Sequence, residues 1–394
     1  MPRFPVSVRR CLMAVPFVLL AGVLARLFMA GWSSPDIAKE HGQTPIAVIY
    51  CTDLFDPPGD PDDHFDLAAL YSMPEIDIRA IVLDQGAIQE TQPGRIPVEQ
   101  MNHLTGRGVP CATGLSRKLR SPVDQGLDEP ERFQAGQLLI QRMLEEATTP
   151  VTIVSVGSLR DVAAAFNRHP ALFQKKVSRL FAFIGDGHGT YQESNVGMDP
   201  QAYACVMNSG LDVYWVPCFD GGLWSNEGDA SFWQTTQGEL LRDASVPVLG
   251  FFAYALLRDE RMDPLESLNR PLDPHQRDRL FGAVRNVWGA AVFASIANRT
   301  LVQSGSEWRA ARPGDARGDE RVKKLFEFRP VSMHVTSDVR ESFQPSANNQ
   351  RVNRFHILDR NAYGGAMTSV TRHMIGELSA QIAEHRRDPM LPKA

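Results

Sequence analysis

Short apolar runs alternate with stretches of helical periodicity from residue 44 onward, and this alternation predicts the fold class. Five runs rich in β-branched and aromatic residues predict β-strands at 46–50, 78–83, 151–156, 177–184 and 211–216. Apolar residues at helical spacing follow several of these runs. Strands that alternate with helices predict βαβ units. We therefore expect an α/β fold with a mainly parallel, doubly wound sheet and flanking helices.

One of the predicted helices has a clear start signal in the sequence. The strand at 151–156 is followed by Ser158, which can cap a helix, and by Asp161 three residues later. Apolar residues then recur at helical spacing. Residues 65–70 and 99–104 are the other helix predictions in this half of the chain.

Two segments interrupt the regular alternation. Residues 217–232 are rich in Gly, Asp, Trp and Asn, which predicts a surface loop or a lid. Residues 305–321 are charged and contain several Gly and Pro residues, which predicts a loop or a mobile insertion.

The N-terminal segment, residues 1–32, is set apart from the fold. Three arginines precede an apolar run at 12–25, a length that favours a signal peptide over a full membrane span. An uncleaved N-terminal anchor is the alternative. In either case we expect export, to the periplasm or the medium, with membrane contact only through this segment. Residues 44–385 are predicted to form one domain, and residues 386–394 a flexible tail.

Composition and charge narrow the possible partners. The chain has 394 residues, 43% of them hydrophobic and 22% charged, with a net charge of −5. This is a globular composition without the basic excess of a nucleic-acid-binding protein. Five scattered cysteines without a C-x-x-C pair argue against a zinc ribbon. A homo-oligomer is compatible with these features.

The most informative segment is the acidic loop, residues 53–66, directly after the first predicted strand. Six aspartates fall within these fourteen residues. Carboxylates this close repel one another unless a cation or protons neutralise them. Oxygen ligands at the carboxyl end of a strand favour a hard ion such as Ca²⁺ or Mg²⁺. The alternative is a solvated loop in which some aspartates, such as Asp62, cap the following helix.

An ordered set of motifs resembles the nucleoside hydrolases. The acidic loop and the Leu-Ala-Ala-Leu helix after it are similar to the beginning of that family. Further segments similar to family motifs follow in the family's order, at 110–114, 154–163, 183–186, 193–195 and 199–202. The resemblance implies a nucleoside-hydrolase-like fold and a Ca²⁺-dependent hydrolase that cleaves the N-glycosidic bond of purine or pyrimidine nucleosides, or of a related ribosyl compound.

The resemblance also implies roles for individual residues. Asp53, Asp63 and the main-chain carbonyl of Val156 would bind Ca²⁺, and Asp53 would be the catalytic base on a metal-bound water. Asp62, Glu193 and Asn195 would bind the ribose hydroxyls. A weaker candidate for the same pocket is Asp84, at the end of the second strand.

The sequence departs from the family in two places. Eight residues separate Asp53 from Asp62, a longer connection than the family has. The family's late His-Asp pair has no clear match, and the nearest segment is 284–289. We expect Arg285, Asn286 and Trp288 to line the base side of the pocket, with Arg285 and Trp288 on one face of a helix. The alternative is that Trp288 packs in the core and Arg285 pairs with a surface acid.

Other side chains are weaker candidates for the base side. His64 and His188 could protonate a leaving group, although a lone histidine is more often a surface or core residue. Trp215 and Trp224 could stack on a base, although most tryptophans at such positions pack in the interior.

Three function classes compete. The first is the hydrolase described above, and the second is a catalytically weak protein that binds ribosyl compounds or sugars on the same fold. The missing His-Asp pair favours binding, whereas the retained acidic residues favour catalysis. A phosphotransferase with an aspartate nucleophile is disfavoured, because Asp53-Leu54-Phe55 lacks a second aspartate two residues on.

Overall fold

The computed structural model describes residues 44–387, except 190, 259–261, 337, 339–340 and 346–350. The predicted signal peptide or anchor at 1–32 and most of the predicted tail lie outside the described residues. Across the part that is described, none of the helices combines the length and the apolar character that a membrane crossing requires.

The helices and strands follow one another along the whole described chain. The described strands are β1 (Ile46–Thr52), β2 (Ile76–Leu83), β3 (Cys111–Thr113), β4 (Val151–Ser155), β5 (Val177–Phe183), β6 (Val213–Val216), β7 (Trp233–Thr236), β8 (Val284–Val287), β9 (Thr300–Ser304), β10 (Glu307–Ala311), β11 (Arg321–Val322), β12 (Phe326–Val335), β13 (Glu341–Pro345) and β14 (Val352–Ile357). The described α-helices are α1 (Asp62–Tyr71), α2 (Gly86–Gln89), α3 (Arg95–Thr105), α4 (Ala135–Glu146), α5 (Arg160–Arg168), α6 (Pro170–Lys176), α7 (Ser194–Met198), α8 (Pro200–Met207), α9 (Gln237–Leu241), α10 (Val246–Leu257), α11 (Pro264–Ser267), α12 (Pro274–Gly282), α13 (Phe293–Ile296) and α14 (Arg360–His385).

One nine-stranded sheet organises the molecule, in the order β13-β12-β14-β6-β5-β4-β1-β2-β3. The seven strands from β14 to β3 pair in parallel, and β12 runs antiparallel to both of its neighbours. The predicted α/β class with a mainly parallel sheet is therefore confirmed. Parallel strands direct their carboxyl ends to one edge, so the chain leaves β1, β2, β4, β5 and β6 on the same side of the molecule.

Alternation along β1 divides the core between the two faces of the sheet. Val48 and Tyr50 pack on the face covered by helices α1, α3, α10 and α14. Ala47, Ile49 and Cys51 point to the opposite face, covered by α4, α5 and α8. Both faces of a parallel sheet need such cover, which explains why β1 reads as one continuous apolar run.

The structure corrects two local predictions. Residues 305–321 are not only a loop, because β10 lies within them and pairs with β9 in a small antiparallel sheet that also includes β11. The helix after β4 begins at Arg160, and its N-cap is Leu159 in a left-handed conformation, not Ser158. The Ser158 hydroxyl still accepts a hydrogen bond from Arg160 N over 3.3 Å. Residues 217–232 form a loop, as predicted.

A buried arginine connects the C-terminal helix to the rest of the fold. The Arg299 side chain is fully buried and donates to both carboxylate oxygens of Glu75, over 3.1 Å each, and to Glu377 Oε2 on α14 over 2.6 Å. Removal of one partner of a buried ion pair leaves the other charge uncompensated, which costs more than the pair itself contributes.

We expect Arg299→Met to lower the free energy of unfolding by about 3 kcal/mol, because Glu377 would lose its guanidinium partner and Glu75 would keep only Arg312. Urea denaturation of the full chain measures this change. The matched control is Arg351→Met, whose partner Asp212 is solvent-exposed, so that the expected loss is about 1 kcal/mol or less. Equal losses in the two variants would contradict the role given to Arg299.

Candidate active site

Three of the predicted site residues meet at the carboxyl edge of the sheet. Asp53 follows β1, Asp84 follows β2 and Val156 follows β4, and these three strands are direct neighbours with β1 in the middle. Gly157 completes the edge, because a Cβ there would lie 2.9 Å from Asp84 Oδ2 and 3.4 Å from Asp53 Oδ1. The absent side chain lets both carboxylates approach the backbone closely.

Asp84 is held in place by main-chain donors. Gln85 N donates to its Oδ1 over 2.7 Å, and Ser158 N donates to its Oδ2 over 2.8 Å. Arg160 Nη1 lies 4.0 Å from the same carboxylate. The orientation of the Asp84 carboxylate is therefore fixed by these hydrogen bonds, and Arg160 partly balances its charge.

The first turn of α1 brings two more carboxylates to this edge. The helix N-cap is Pro61 and makes no side-chain capping bond, so Asp62 is not the cap that the alternative interpretation of the acidic loop required. Asp63 is buried and its Oδ1 accepts a hydrogen bond from Thr52 Oγ1 over 2.5 Å. Thr52, the last residue of β1, thus fixes Asp63 beside Asp53.

The carboxylates in this group disfavour one another's charge. Burial, and after it the charge of Asp84, raises the pKa of Asp53 to about 8. Burial also raises the pKa of Asp62 and Asp63 well above the usual range, with Asp60 and Asp53 respectively as the next causes. Carboxylates and a main-chain carbonyl are the ligands that Ca²⁺ takes in proteins. Asp53, Asp63 and Val156 therefore fit a hard divalent cation, which would relieve the repulsion.

Asn195 connects the loop after β5 to this edge. Its Nδ2 donates to the Val156 carbonyl over 3.0 Å. A carbonyl oxygen has two lone pairs, so this bond orients Val156 O and leaves one lone pair for a cation. The site thus brings Asn195 together with the predicted metal ligands.

Glu193 is buried and saturated with hydrogen bonds. Its Oε1 accepts from Ser194 Oγ and Asn195 N, over 2.6 and 2.8 Å, and its Oε2 accepts from Gly185 N and Val196 N, over 3.0 and 3.3 Å. It is also the N-cap of α7. These four bonds give Glu193 a clear part in positioning Asn195, while its predicted contact with ribose stays a prediction.

The segment expected to line the base side is a strand and not a helix. Val284–Val287 forms β8 and pairs antiparallel with β7, so the prediction that Arg285 and Trp288 share a helix face is wrong. Arg285 Nη1 lies 3.7 Å from Asp60 Oδ1, the ion pair of the alternative interpretation. Asn286 Oδ1 accepts from Gln234 Nε2 over 3.0 Å. Both side chains are thus engaged with protein partners.

Trp288 belongs to an aromatic cluster, defined by Phe219, Trp224, Phe232 and Trp288. The ring centroids of Trp288 and the other three lie 5.5 to 6.2 Å apart. Trp288 Nε1 donates to the Cys218 carbonyl over 2.9 Å. Burial first, and then the charges of Glu193, Asp62 and Asp53, raise the pKa of the Cys218 thiol. Cys218 therefore contacts the aromatic cluster through its carbonyl, and its thiol is within electrostatic reach of the carboxylates.

The other aromatic and histidine candidates differ in how far their side chains are buried. Trp215 is fully buried and donates to the Ile184 carbonyl, so it is a packing residue. His64 is also fully buried, lies against Phe251, and has its pKa lowered to about 3 by burial and by Arg285. Full burial and a lowered pKa both disfavour the acid role for His64. Trp224 is half exposed.

Comparisons with known proteins agree with this geometry. Residues 54–226 match the model of the family described as inosine-uridine preferring nucleoside hydrolase. Over these residues the chain is similar to the nucleoside hydrolases. The matched part of the chain contains the acidic helix start, Asp84, Val156 and Asn195, and begins one residue after Asp53.

Individual relatives resemble the chain over a limited length. It is 28% identical over 173 residues to the pyrimidine-specific ribonucleoside hydrolase RihA of Escherichia coli O7:K1, and 29% identical over 180 residues to RihA of Citrobacter koseri. The aligned parts cover 39% and 41% of this chain, and 55% and 57% of the relatives. The chain thus matches little more than half of either relative.

A solved structure supports the fold alone. The purine-preferring ribonucleoside hydrolase from Gardnerella vaginalis superimposes with a TM-score of 0.50 at 15% sequence identity, over 84% of this chain and 99% of that one. The nucleoside-hydrolase-like fold expected from the motifs is thereby confirmed.

Asp66 is a further carboxylate at this edge, to which the sequence alone assigned no role. It is buried, and its Oδ1 has no hydrogen-bond partner among the described residues. A Cβ on Gly289 would overlap its carboxylate, so Asp66 occupies space beside the segment that replaces the family's His-Asp pair. The signal was present in the sequence, because Asp66 lies three residues after Asp63 and hence on the same face of α1.

We expect Asp63→Ala to weaken Ca²⁺ binding by about 100-fold or more, since loss of even an outer-shell partner costs 10–100-fold. Calorimetric titration of the full chain with Ca²⁺ measures this. The control is Asp278→Ala on the exposed face of α12, which should bind as the unchanged chain does. Unaltered binding by Asp63→Ala would remove this residue from the site.

Proposed function

We propose that the protein is a Ca²⁺-dependent hydrolase that cleaves the N-glycosidic bond of nucleosides or a related ribosyl compound. The observation that carries this proposal is the meeting of Asp53, Asp63 and the Val156 carbonyl at one sheet edge, with Asn195 bonded to that carbonyl over 3.0 Å. Ca²⁺ held there would orient and acidify an attacking water.

The chain's own residues divide the remaining work. A carboxylate oxygen of Asp53 accepts the proton of the attacking water as general base. Asp62 and Asn195 bind the ribose hydroxyls. Glu193 and Asp84 fix the positions of the surrounding loops through their hydrogen bonds to main-chain amides. Because water attacks the sugar directly, the anomeric centre is inverted.

The substrate class is proposed from the relatives. RihA of Escherichia coli and of Citrobacter koseri are described as pyrimidine-specific ribonucleoside hydrolases. We propose that this protein cleaves the same bond and takes the same sugar. Both purine and pyrimidine nucleosides are proposed as substrates, because residues 284–289 differ from the family's segment on the base side. We also propose export, to the periplasm or the medium, directed by residues 1–32, whose apolar run follows three arginines.

A second candidate function is binding of a ribosyl compound with little catalysis. Two observations favour it. Arg285 is paired with Asp60 on the base side, and His64 is buried and neutral. The described residues around the carboxylates therefore offer few proton donors for a departing base.

Release of reducing sugar from a panel of purine and pyrimidine nucleosides, with and without a chelator, separates these functions. We expect release that the chelator abolishes and that added Ca²⁺ restores. Binding of a nucleoside without sugar release would support the binding protein instead. Release that is unaffected by the chelator would contradict the Ca²⁺ dependence.

We expect Asp53→Asn to lower kcat by about 100-fold or more, because the amide cannot accept the proton of the attacking water. Asp278→Asn, on the exposed face of α12, is the matched control and should leave kcat unchanged. Far-ultraviolet circular dichroism of both variants checks the fold. A folded Asp53→Asn variant with normal kcat would move the general base to another residue.

We expect Trp224→Ala to raise KM several-fold with little change in Ca²⁺ affinity, because its half-exposed indole is the face of the aromatic cluster open to a base. Trp288→Ala should act in the same direction. Steady-state kinetics and calorimetry give the two quantities. Equal losses of substrate and Ca²⁺ affinity in Trp224→Ala would argue against stacking on a base.

A further inference from the structure

A second group of metal-binding side chains lies outside the carboxylate site. His188, Asp220 and Asp229 each offer one ligand atom, and these atoms all lie within 4.8 Å of one another. His188 lies in the connection between β5 and α7. Asp220 and Asp229 lie in the loop of residues 217–232, which also contains three members of the aromatic cluster. The group therefore joins two segments that leave adjacent strands, β5 and β6.

A buried oxygen that accepts no hydrogen bond among the described residues points into this group. Asp220 is fully buried, and its Oδ2 accepts a hydrogen bond from Asp229 N over 2.7 Å. Its Oδ1 has no hydrogen-bond partner among the described residues and lies 3.2 Å from His188 Nδ1. A buried acceptor without a donor is costly. Two atoms at this separation can also share one metal ion whose bonds are about 2 Å long.

The backbone leaves room beside this oxygen. Gly187 lies next to the group, and a Cβ there would be 3.3 Å from Asp220 Oδ1 and 2.9 Å from the Asp229 carbonyl oxygen. The His188 side chain is 41% exposed, so the group can be reached from solvent.

The local charge leaves a negative excess. Asp229 is already engaged, with Arg354 Nη2 at 2.8 Å from its Oδ2 and His356 Nδ1 at 2.7 Å from its Oδ1. Glu227 Oε2 lies 3.9 Å from His188 Nδ1. Three carboxylates therefore face one guanidinium and two imidazoles. Because Arg354 already balances much of the charge of Asp229, a cation would be drawn mainly toward Asp220 and His188.

We propose that His188, Asp220 and Asp229 bind a divalent transition-metal ion of the Zn²⁺ type. One imidazole nitrogen with two carboxylate oxygens is a ligand set that suits Zn²⁺, whereas oxygen ligands alone suit Ca²⁺. Three protein ligands leave at least one position for water. This site is separate from the proposed Ca²⁺ site and does not depend on the proposed function.

The bound ion would crosslink the segments that carry the aromatic cluster. It would join the β5 connection to the 217–232 loop at two points nine residues apart, with Trp224 between them. Trp224 has a left-handed backbone with φ of 60°, which is unfavourable for a bulky residue. A clamp on both sides of Trp224 would help to hold this conformation. We therefore expect metal binding to change the fluorescence of the half-exposed Trp224.

Titration of the chelator-treated full chain with Zn²⁺, Ca²⁺ and Co²⁺ tests this proposal without any nucleoside. We expect one Zn²⁺ equivalent, visible absorption from bound Co²⁺, and a change in tryptophan fluorescence. His188→Ala and Asp220→Asn should weaken Zn²⁺ binding at least ten-fold and abolish the Co²⁺ absorption. His188 is the safer change, because its exposed side chain contributes little to the core.

Two controls give the test its specificity. His275→Ala removes an exposed histidine on α12 and should leave Zn²⁺ binding unchanged. Asp63→Ala should retain the Zn²⁺ equivalent while losing Ca²⁺ binding. The proposal is overturned if the unchanged chain does not bind Zn²⁺, or if His188→Ala binds it as tightly as the unchanged chain. Loss of the Zn²⁺ equivalent in Asp63→Ala would likewise overturn it, because the ion would then belong to the carboxylate site.

Discussion

Repulsion among buried and half-buried carboxylates is the constraint on which the carboxyl edge of the sheet depends. Asp53 and Asp84 arrive from neighbouring strands, and Asp62 and Asp63 from the first turn of α1. Burial and mutual charge raise the pKa of Asp53, Asp62 and Asp63 together. Among the described residues, Arg160 lies near Asp84, Arg285 lies near Asp60 and Arg258 donates to the Pro58 carbonyl, and no guanidinium forms an ion pair with Asp53, Asp62 or Asp63. The group therefore requires protons or a bound cation to offset its charge.

The groups that hold this edge orient the carboxylates without cancelling their charge. Thr52 donates a hydroxyl to Asp63, and main-chain amides donate to Asp84. Asn195 donates an amide to the Val156 carbonyl. Neutral donors fix the position of an oxygen but leave most of its charge available, whereas an arginine would neutralise it. This arrangement suits a site whose positive charge is supplied by a ligand.

The parts of the site that could be predicted from the sequence are those that depend on local pattern. Asp53, Asp84 and Val156 follow short strands that are clear in the sequence, and parallel pairing brings such strand ends together. The strand Val284–Val287 escaped prediction because its only support is long-range pairing with Trp233–Thr236, about fifty residues earlier. A four-residue segment has no periodicity of its own with which to distinguish a strand from a helix.

The candidate site residues that the sequence placed correctly lie before residue 226, and those that it misplaced lie after it. The family match ends at residue 226, and the strands and loops before that point supply Asp53's neighbours, Val156 and Asn195. Arg285 and Trp288 lie beyond it, where Arg285 pairs with Asp60 and Trp288 packs in the aromatic cluster. In the proposed hydrolase, catalysis at the sugar would depend on a few oxygens at fixed strand ends and would tolerate little change. Binding of the leaving base would depend on other elements near the same edge, so the proposed function tolerates the different residues found at 284–289.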